Sequence, residues 1–424
     1  MDEKNKKRGA DFLNTSIGKL ANFLTTASVF YLVSRQTDSN EFSLFGYWWS
    51  IGIMIGGVLL GGIGSAAVRE IAVARTLNLV LTFAFKTLAA IILTIACAIV
   101  TVKHTGIIST ENLMLGIAVI GFGVSVLFQN VTLSVLRAIQ DFQSNCLASL
   151  ILVLQVPATV WIMVGKSPKV FQLFIAVTVA FGVGTILAIT IAWRSIRRFT
   201  VGSDRSLYTA ADFSANVLSF TAVNFLSYSS ININFTLIKI FSTSSEFATI
   251  ASGTIYFERF ILPILNLLAS VISLRVLRQE KRWFKEKKIL DFICLKFLLV
   301  FVVVVICLSS FGYYNFHKIM GSESQKIRLF WIGIASLGYL LFALNSVLFD
   351  FLVLGESTQS VLTHVVIFIL LGAVIQWSAF ASFRVPGWAT GWTIFNSIIT
   401  ASLLPRYLRI KNQPLINQTT KKCE

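Results

Sequence analysis

Apolar runs of about 20 residues recur from one end of the chain to the other, each closed by a short polar or basic break. At ~1.5 Å of helical rise per residue, runs of that length match the hydrocarbon core of a bilayer. They predict membrane-spanning helices over 12–34, 43–68, 79–102, 113–136, 146–165 and 171–193. A second group follows over 217–240, 248–272, 289–311, 329–354, 361–383 and 385–404. The last two runs nearly touch around Arg384 and Pro386. Between the two groups lies the polar, basic stretch RSIRRFTVGSDRSLYTAADFSAN, 194–216, close to the midpoint. The expected architecture is an all-α polytopic membrane protein with about twelve transmembrane helices. Two six-helix bundles, 1–199 and 217–424 with its tail, flank a cytoplasmic linker over 200–216.

A short repeat supports the division. Ser39-Asn40-Glu41-Phe42 follows the first span and Ser244-Ser245-Glu246-Phe247 the seventh, at an offset of 205. A weaker pair sets Asn130 and Asp141 against Asn345 and Glu356, at an offset of 215. Halves of six spans keep the same orientation, so the repeat is parallel, about a pseudo-two-fold axis along the membrane normal.

Composition sharpens this picture. The chain has 424 residues, 55% hydrophobic and only 13% charged, with a mean hydropathy of +0.77. Soluble domains carry about a quarter charged residues, so no ordinary water-facing surface can be built here. The net charge is +17. On a soluble protein this would suggest a nucleic-acid partner; on a polytopic one it reports orientation. With the N-terminus cytoplasmic, inside segments hold 23 of the 36 Lys and Arg residues and outside segments hold 8. Both termini are therefore expected on the cytoplasmic side. The basic start, Met1 to Arg8, leads into a run too long for a signal-peptide core, which reads as an uncleaved first span. The run Arg275, Arg278, Lys281, Arg282, Lys285, Lys287 and Lys288 reads as a cytoplasmic loop touching anionic lipid.

Redox and metal chemistry find no foothold in the sequence. Cys97, Cys146, Cys294, Cys307 and Cys423 form no C-x-x-C pair, and His104, His317 and His364 are dispersed. No cofactor or metal is expected. The phosphate-cradling pattern G-x-x-x-x-G-K-[ST] is absent, so no ATPase of that type lies in the chain. The longest outside loop, 312–328, is short for the extracytoplasmic site of a glycan-polymerising enzyme, and no enzymatic activity is expected.

Most spans are bland, which makes the polar positions informative. In the first, Thr15, Lys19, Asn22 and Thr26 share one helical face. The seventh carries Thr221, Asn224, Ser227, Tyr228, Ser230, Asn232 and Asn234. Lipid satisfies none of these groups, so they face protein or a water-filled cavity; interhelical hydrogen bonding is the plainer explanation for a few of them. Ionisable side chains at span centres cost about 2.5–3.5 kcal/mol each on insertion scales. The set is Lys19, Lys86, Lys239, Glu258, Arg259, Lys296 and Asp350. Lys239 can snorkel from its span end, and Lys86 and Lys296 lie within reach of the cytoplasmic interface or face the cavity. Ser252, Tyr256, Arg259, Pro263 and Asn266 fall on one stripe of the eighth span, which Pro263 is expected to bend. Lys19 and Arg259 beside polar faces suggest a cationic lumen suited to phosphate. Gly46, Gly52, Gly56, Gly57, Gly61, Gly62 and Gly64 make the second span a close-packing helix. Trp48, Trp49, Trp388 and Trp392 read as interface-belt aromatics.

The chain resembles the polysaccharide flippases of the MOP superfamily. The likeness lies in Glu41-Phe42 after the first span, Phe45-Gly46-Tyr47, the glycine-rich stretch, Ala67-Val68-Arg69 and EFATIASGTIYFERFILPILNLLAS over 246–270. It implies two six-helix bundles around a central cavity that opens alternately to either side. Twelve spans suit the Wzx-type O-antigen flippases and MATE exporters better than the lipid II flippases. In the Wzx type the resemblance further implies a cationic cavity for undecaprenyl-pyrophosphate-linked oligosaccharide in a bacterial inner membrane. Lys19 and Arg259 would engage the pyrophosphate, with Asn22, Thr26, Asn224, Tyr228, Asn232, Lys86 and Lys296 lining the route. Glu258 and Asp350 would be the candidates for ion coupling. Membrane lipids, and a polysaccharide polymerase with other assembly proteins, are the expected partners. The alternatives are a MATE-like cation-coupled exporter of small molecules and, further off, a polytopic polysaccharide-assembly enzyme.

Overall fold

The computed structural model describes residues 2–74, 110–139, 141–165, 168–200, 242–262, 327–355 and 358–412. Short helical pieces at 82, 86–88, 213–214, 217–218, 221, 235, 238–240, 264–265, 312–313 and 315 complete the described residues. All are helical apart from brief turns, and no strand occurs among them. The long elements are α1 (Asp2–Gln36), α2 (Ser39–Ala74), α3 (Thr110–Ala138), α4 (Phe142–Met163) and α5 (Val170–Thr200). They continue with α6 (Ser244–Tyr256), a π-turn over Phe257–Ile261, α7 (Leu329–Gly355) and α8 (Thr358–Asn412). These carry the first, second, fourth to sixth, eighth and tenth to twelfth predicted spans. The third, seventh and ninth lie wholly or largely outside the described residues.

Two of the helix starts explain the sequence repeat. Asp38 accepts from the Glu41 amide at 2.8 Å ahead of α2. Ahead of α6, the Thr243 amide donates to Glu246 Oε2 at 3.1 Å while the Glu246 amide reaches Thr243 Oγ1 at 3.5 Å. This is a capping box, which satisfies amides that the first helical turn leaves without partners. Glu41 turns outward instead, accepting from the Val170 amide at 2.9 Å and so capping α5 as well. At the opposite end, Asp141 caps α4 through the Ser144 amide at 3.0 Å and also accepts from the Ser195 hydroxyl of α5.

Glycines set the closest helix approaches. A Cβ on Gly56 would lie 2.5 Å from the Gly123 carbonyl oxygen, and one on Gly123 would lie 2.1 Å from that of Gly52. The G-x-x-x-G edge of α2 thus packs backbone to backbone on α3, as expected of small residues between spans. The 55 residues of α8 are two limbs, broken at Arg384, where φ is 53° and ψ is −121°. Gly387 against Ala379, Gly391 against Gln376 and Gly372 against Phe395 make those limbs antiparallel. The span boundary expected at Arg384 is therefore a one-residue helical hairpin.

Helices two spans apart run parallel, as an up-and-down membrane topology requires. Thr178 and Thr185 of α5 donate to the Ala118 and Ser125 carbonyls of α3, at 2.7 and 2.8 Å. Thr393 of α8 donates to the Ile334 carbonyl of α7 at 2.7 Å. The same bond between the same pair of spans recurs in the second half, at the offset of about 215 read from the sequence. The first repeat has a structural counterpart too. Ser43 and Ala248, 205 positions apart, meet through the Ser43 hydroxyl and the Ala248 carbonyl at 3.5 Å.

The chain forms two compact units, Met1–Ile255 with Lys318–Gln325, and Tyr256–His317 with Lys326–Glu424. In the first, Phe30, Phe45, Trp49, Phe122, Phe174 and Phe181 form an aromatic core, with Trp49 and Phe122 centroids 4.4 Å apart. Trp49, Trp388 and Trp392 are buried, which corrects their reading as interface-belt residues. Each is drawn inward by ring partners on neighbouring spans. The exposed tryptophans among the described residues include Trp161 and Trp193, near the ends of α4 and α5. Leu154, Ile162 and Ile186 are 76%, 80% and 65% exposed, apolar faces suited to lipid. Among the described residues, Glu111–Ala138, Phe142–Met163 and Val170–Arg198 are long and apolar enough to cross a membrane by length and composition alone.

Candidate functional site

The eighth span carries the most chemistry among the described residues. Its helix α6 begins at the Thr243–Glu246 capping box and continues as ordinary α-helix to Tyr256. There it widens. The Leu262 amide donates to the Phe257 carbonyl, five residues back, and the turn over Phe257–Ile261 is a π-turn. Its position follows from the sequence. Pro263 has no N–H to offer the Arg259 carbonyl, so regular α-helical bonding fails in the turn before it. Pro263 and Asn266 themselves lie outside the described residues.

The widened turn changes the expected polar stripe. Ser252 and Tyr256 precede it and are buried, while Arg259 lies within it, rotated from the register of an unbroken α-helix. The Glu258 side chain is 0% exposed and that of Arg259 is 12% exposed, with Glu258 Oε2 and Arg259 Nη2 3.6 Å apart. At that separation the charges attract without forming a short charge-assisted hydrogen bond. Neither Glu258 oxygen accepts a hydrogen bond among the described residues. A fully buried carboxylate in that condition is poorly compensated for its lost hydration.

Aromatic side chains from the second unit pack around the turn. Phe257 stacks on Tyr339 of α7 with centroids 4.9 Å apart and planes at 8°. Tyr339 in turn meets Trp392 at 5.1 Å, and Phe257 meets Trp388 at 6.3 Å. Tyr339 lies close enough to interact electrostatically with both Glu258 and Arg259. Its hydroxyl, the indole N–H groups of Trp388 and Trp392, and the Gln376 amide are buried without partners among the described residues. Sequence reasoning missed this shell, because one Tyr or Trp in an apolar run is compatible with any span. The signal it left was the placement of Tyr339 and Asn345 in a mostly apolar tenth span.

The first span presents its polar face in the other unit. Lys19, Asn22 and Thr26 are half-buried on α1, with Thr26 donating to the Asn22 carbonyl at 3.4 Å. Asn22 Oδ1 is buried and accepts no hydrogen bond among the described residues. Gly18 lets this face approach α4, where an added Cβ would sit 3.2 Å from Asn145 Oδ1. Lys86 is exposed. Asn224, Tyr228, Asn232 and Lys296 lie outside the described residues, as does the side chain of Asp350. The structure thus groups Lys19 with Asn22 and Thr26 in the first unit, and Glu258 with Arg259 in the second. No group of three His, Cys, Asp or Glu side chains suited to a metal ion occurs among the described residues.

No protein-family model matches the chain, and no curated protein does. Solved structures do match. An inward-facing multidrug resistance MATE family transporter of the MOP superfamily is 14% identical over 96% of each chain, with a TM-score of 0.63. An outward-facing conformation of such a transporter gives 14% identity over 95% of each chain and a TM-score of 0.65. A eukaryotic MATE transporter is 12% identical over 98% of each chain, with a TM-score of 0.60. At such identity the likeness establishes the fold. The chain has the all-α, multi-pass fold of the MATE transporters.

Proposed function

We propose that the protein is a Wzx-type flippase, carrying undecaprenyl-pyrophosphate-linked oligosaccharide from the cytoplasmic to the periplasmic leaflet of a bacterial inner membrane. The observation that carries this reading is Arg259, a cation held at a π-turn inside an apolar span with its side chain only 12% exposed. An arginine at that depth is costly to keep without a functional reason, and its planar fork suits phosphate oxygens. Lys19, on the polar face of the first span, is the second pyrophosphate ligand. Asn22 and Thr26, with Asn224, Tyr228 and Asn232 of the seventh span, line the glycan route, and Lys86 and Lys296 attract the headgroup. The polyprenyl tail stays in the bilayer, which avoids the cost of moving it through water. The two six-span halves, 1–199 and 217–424, exchange between inward- and outward-open states. Product removal or an ion gradient drives the exchange, with Glu258 and Asp350 as its carboxylates. Membrane lipids surround it, and a polysaccharide polymerase takes over the delivered unit.

A MATE-like exporter of small molecules is the second reading, favoured by the solved neighbours, which are described as multidrug resistance transporters. Against it stands the mostly basic set of charges within the spans, since Lys19 and Arg259 would repel the cations that an acidic pocket attracts. A deletion strain complemented with wild type, K19Q or R259Q separates the readings. The flippase reading expects surface glycan to fall at least ~10-fold in each variant at normal protein levels, the scale of losing one charged phosphate contact. Intact glycan display in both variants, with drug sensitivity in the deletion strain, supports the exporter instead. Single unpolymerised units accumulating at the surface would favour an assembly enzyme.

A further inference from the structure

Glu258 and Arg259 are neighbours in sequence, yet the carboxylate is the more deeply buried of the two and is not well held. It lies 3.6 Å from the guanidinium, and neither of its oxygens accepts a hydrogen bond among the described residues. An ionised carboxylate offers about four acceptor positions, so a purely structural ion pair would be expected to fill some of them. A second buried polar group lies nearby. Among the described residues the Tyr339 hydroxyl has no hydrogen-bond partner, and Tyr339 interacts electrostatically with both charges. Its ring is fixed by stacking on Phe257, the residue before Glu258. The carboxylate stands against Arg259, and the Tyr339 hydroxyl, which has no acceptor among the described residues, offers it a second seat. The π-turn helps, because five-residue hydrogen bonding leaves local freedom that an unbroken α-helix lacks.

We infer that Glu258 is the internal stand-in for the phosphoryl group at Arg259: it neutralises the guanidinium while the site is empty, and an arriving pyrophosphate displaces it onto the Tyr339 hydroxyl. The inference rests on the reading of Arg259 as the anion ligand and adds how that site is kept neutral and released. No bond is made or broken; one anion replaces another beside the same cation. The exchange answers a problem that any such site faces. A bare guanidinium in an apolar span is costly, whereas a permanently satisfied one would bind nothing. Glu258 thereby lowers affinity for the anion, and Tyr339 acts as a positioning residue that receives the displaced carboxylate. The displaced carboxylate bears on Tyr339, whose ring packs on Trp392 of α8, so occupancy of Arg259 is felt along α7 and α8.

The test uses the full-length protein in nanodiscs, with binding measured to inorganic pyrophosphate in one arm and to undecaprenyl pyrophosphate in the other. R259Q is expected to weaken both at least ~10-fold, the loss of a charge-assisted contact. E258Q removes the competing charge and is expected to tighten both about 10-fold. Y339F leaves the pair intact but removes the receiving donor, and is expected to weaken both several-fold, roughly one hydrogen bond to a charged group. E258Q/R259Q should match R259Q. If R259Q leaves affinity unchanged, the reading of Arg259 fails. If R259Q weakens binding while E258Q leaves it unchanged or weakens it, the stand-in role is overturned and the anion site survives. A gain confined to undecaprenyl pyrophosphate also overturns it, because charge exchange should register on the free anion. Should E258Q not reach the membrane, E258D keeps the charge and retracts it by one methylene. It should tighten binding by a smaller factor, and unchanged or weaker binding there overturns the inference equally.

Discussion

Asp141 shows how a single side chain can join helices at the membrane surface. It caps α4 through the Ser144 amide and accepts from the Ser195 hydroxyl at the far end of α5. Burial alone would raise its pKa. The hydrogen bonds from Ser195 and Ser144, together with the charge of Arg198, outweigh that effect and hold it below the ordinary 3.8. A carboxyl whose pKa is depressed by folding lends stability above its unfolded pKa, and that stability is lost as pH falls through the folded value. D141A is therefore expected to lower stability by about 1 kcal/mol at neutral pH, the usual worth of such a cap. The difference from wild type should shrink only below about pH 4, as seen in thermal unfolding of the detergent-solubilised protein. Charged positions of this kind were legible in the sequence, because each charge in an apolar run stands out against hydrocarbon. Lys19 and Arg259 were singled out that way as candidates. Tyr339, Trp388 and Gln376 were not, since their polar groups sit on residues any span can carry.

Between helices, close approach is set by what is missing from side chains rather than by what they contain. Gly56 and Gly123 bring the α2 and α3 backbones together at a distance no Cβ tolerates. Gly116 has nothing within 4 Å of an added Cβ. G56A is expected to destabilise the protein by about 1–3 kcal/mol through forced separation of the helices. G116A, relieved of glycine's conformational freedom, is expected to stabilise it by about 0.5–1 kcal/mol. Thermal unfolding of the two variants side by side checks both signs. The glycine pattern announced a close-packed α2, and the S-x-E-F repeat announced paired helix starts that proved to be caps at Asp38 and Thr243. The π-turn was only half legible. Pro263 foretold a distortion, but neither the extra residue in the turn nor the packing of Phe257 on Tyr339 and Trp388 is encoded in a local pattern. The buried Trp49, Trp388 and Trp392 were misread for the same reason. An indole near a span end suits the interface equally well until its neighbours are known.

Taken as one chain, the protein joins a fold shared with the MATE transporters to a buried Glu258–Arg259 pair within a span. Among the described residues, the placing of the spans was legible from hydropathy, and the threonine bonds at an offset of about 215 match the internal repeat. Those features fix the fold and are silent on cargo. Cargo is written in a few side chains, and the proposal assigns it to Lys19 in the first unit and Arg259 in the second. A transporter using them for pyrophosphate should work without ATP, because the chain carries no nucleotide-binding loop of the P-loop type. The most direct measurement is transbilayer movement of a fluorescent undecaprenyl-pyrophosphate oligosaccharide in proteoliposomes holding the purified protein, without nucleotide. Wild type is predicted to move the lipid well above protein-free vesicles, with R259Q at least ~10-fold slower. Movement no faster than in empty vesicles, with uptake of a small cationic dye by the same vesicles, would contradict the account.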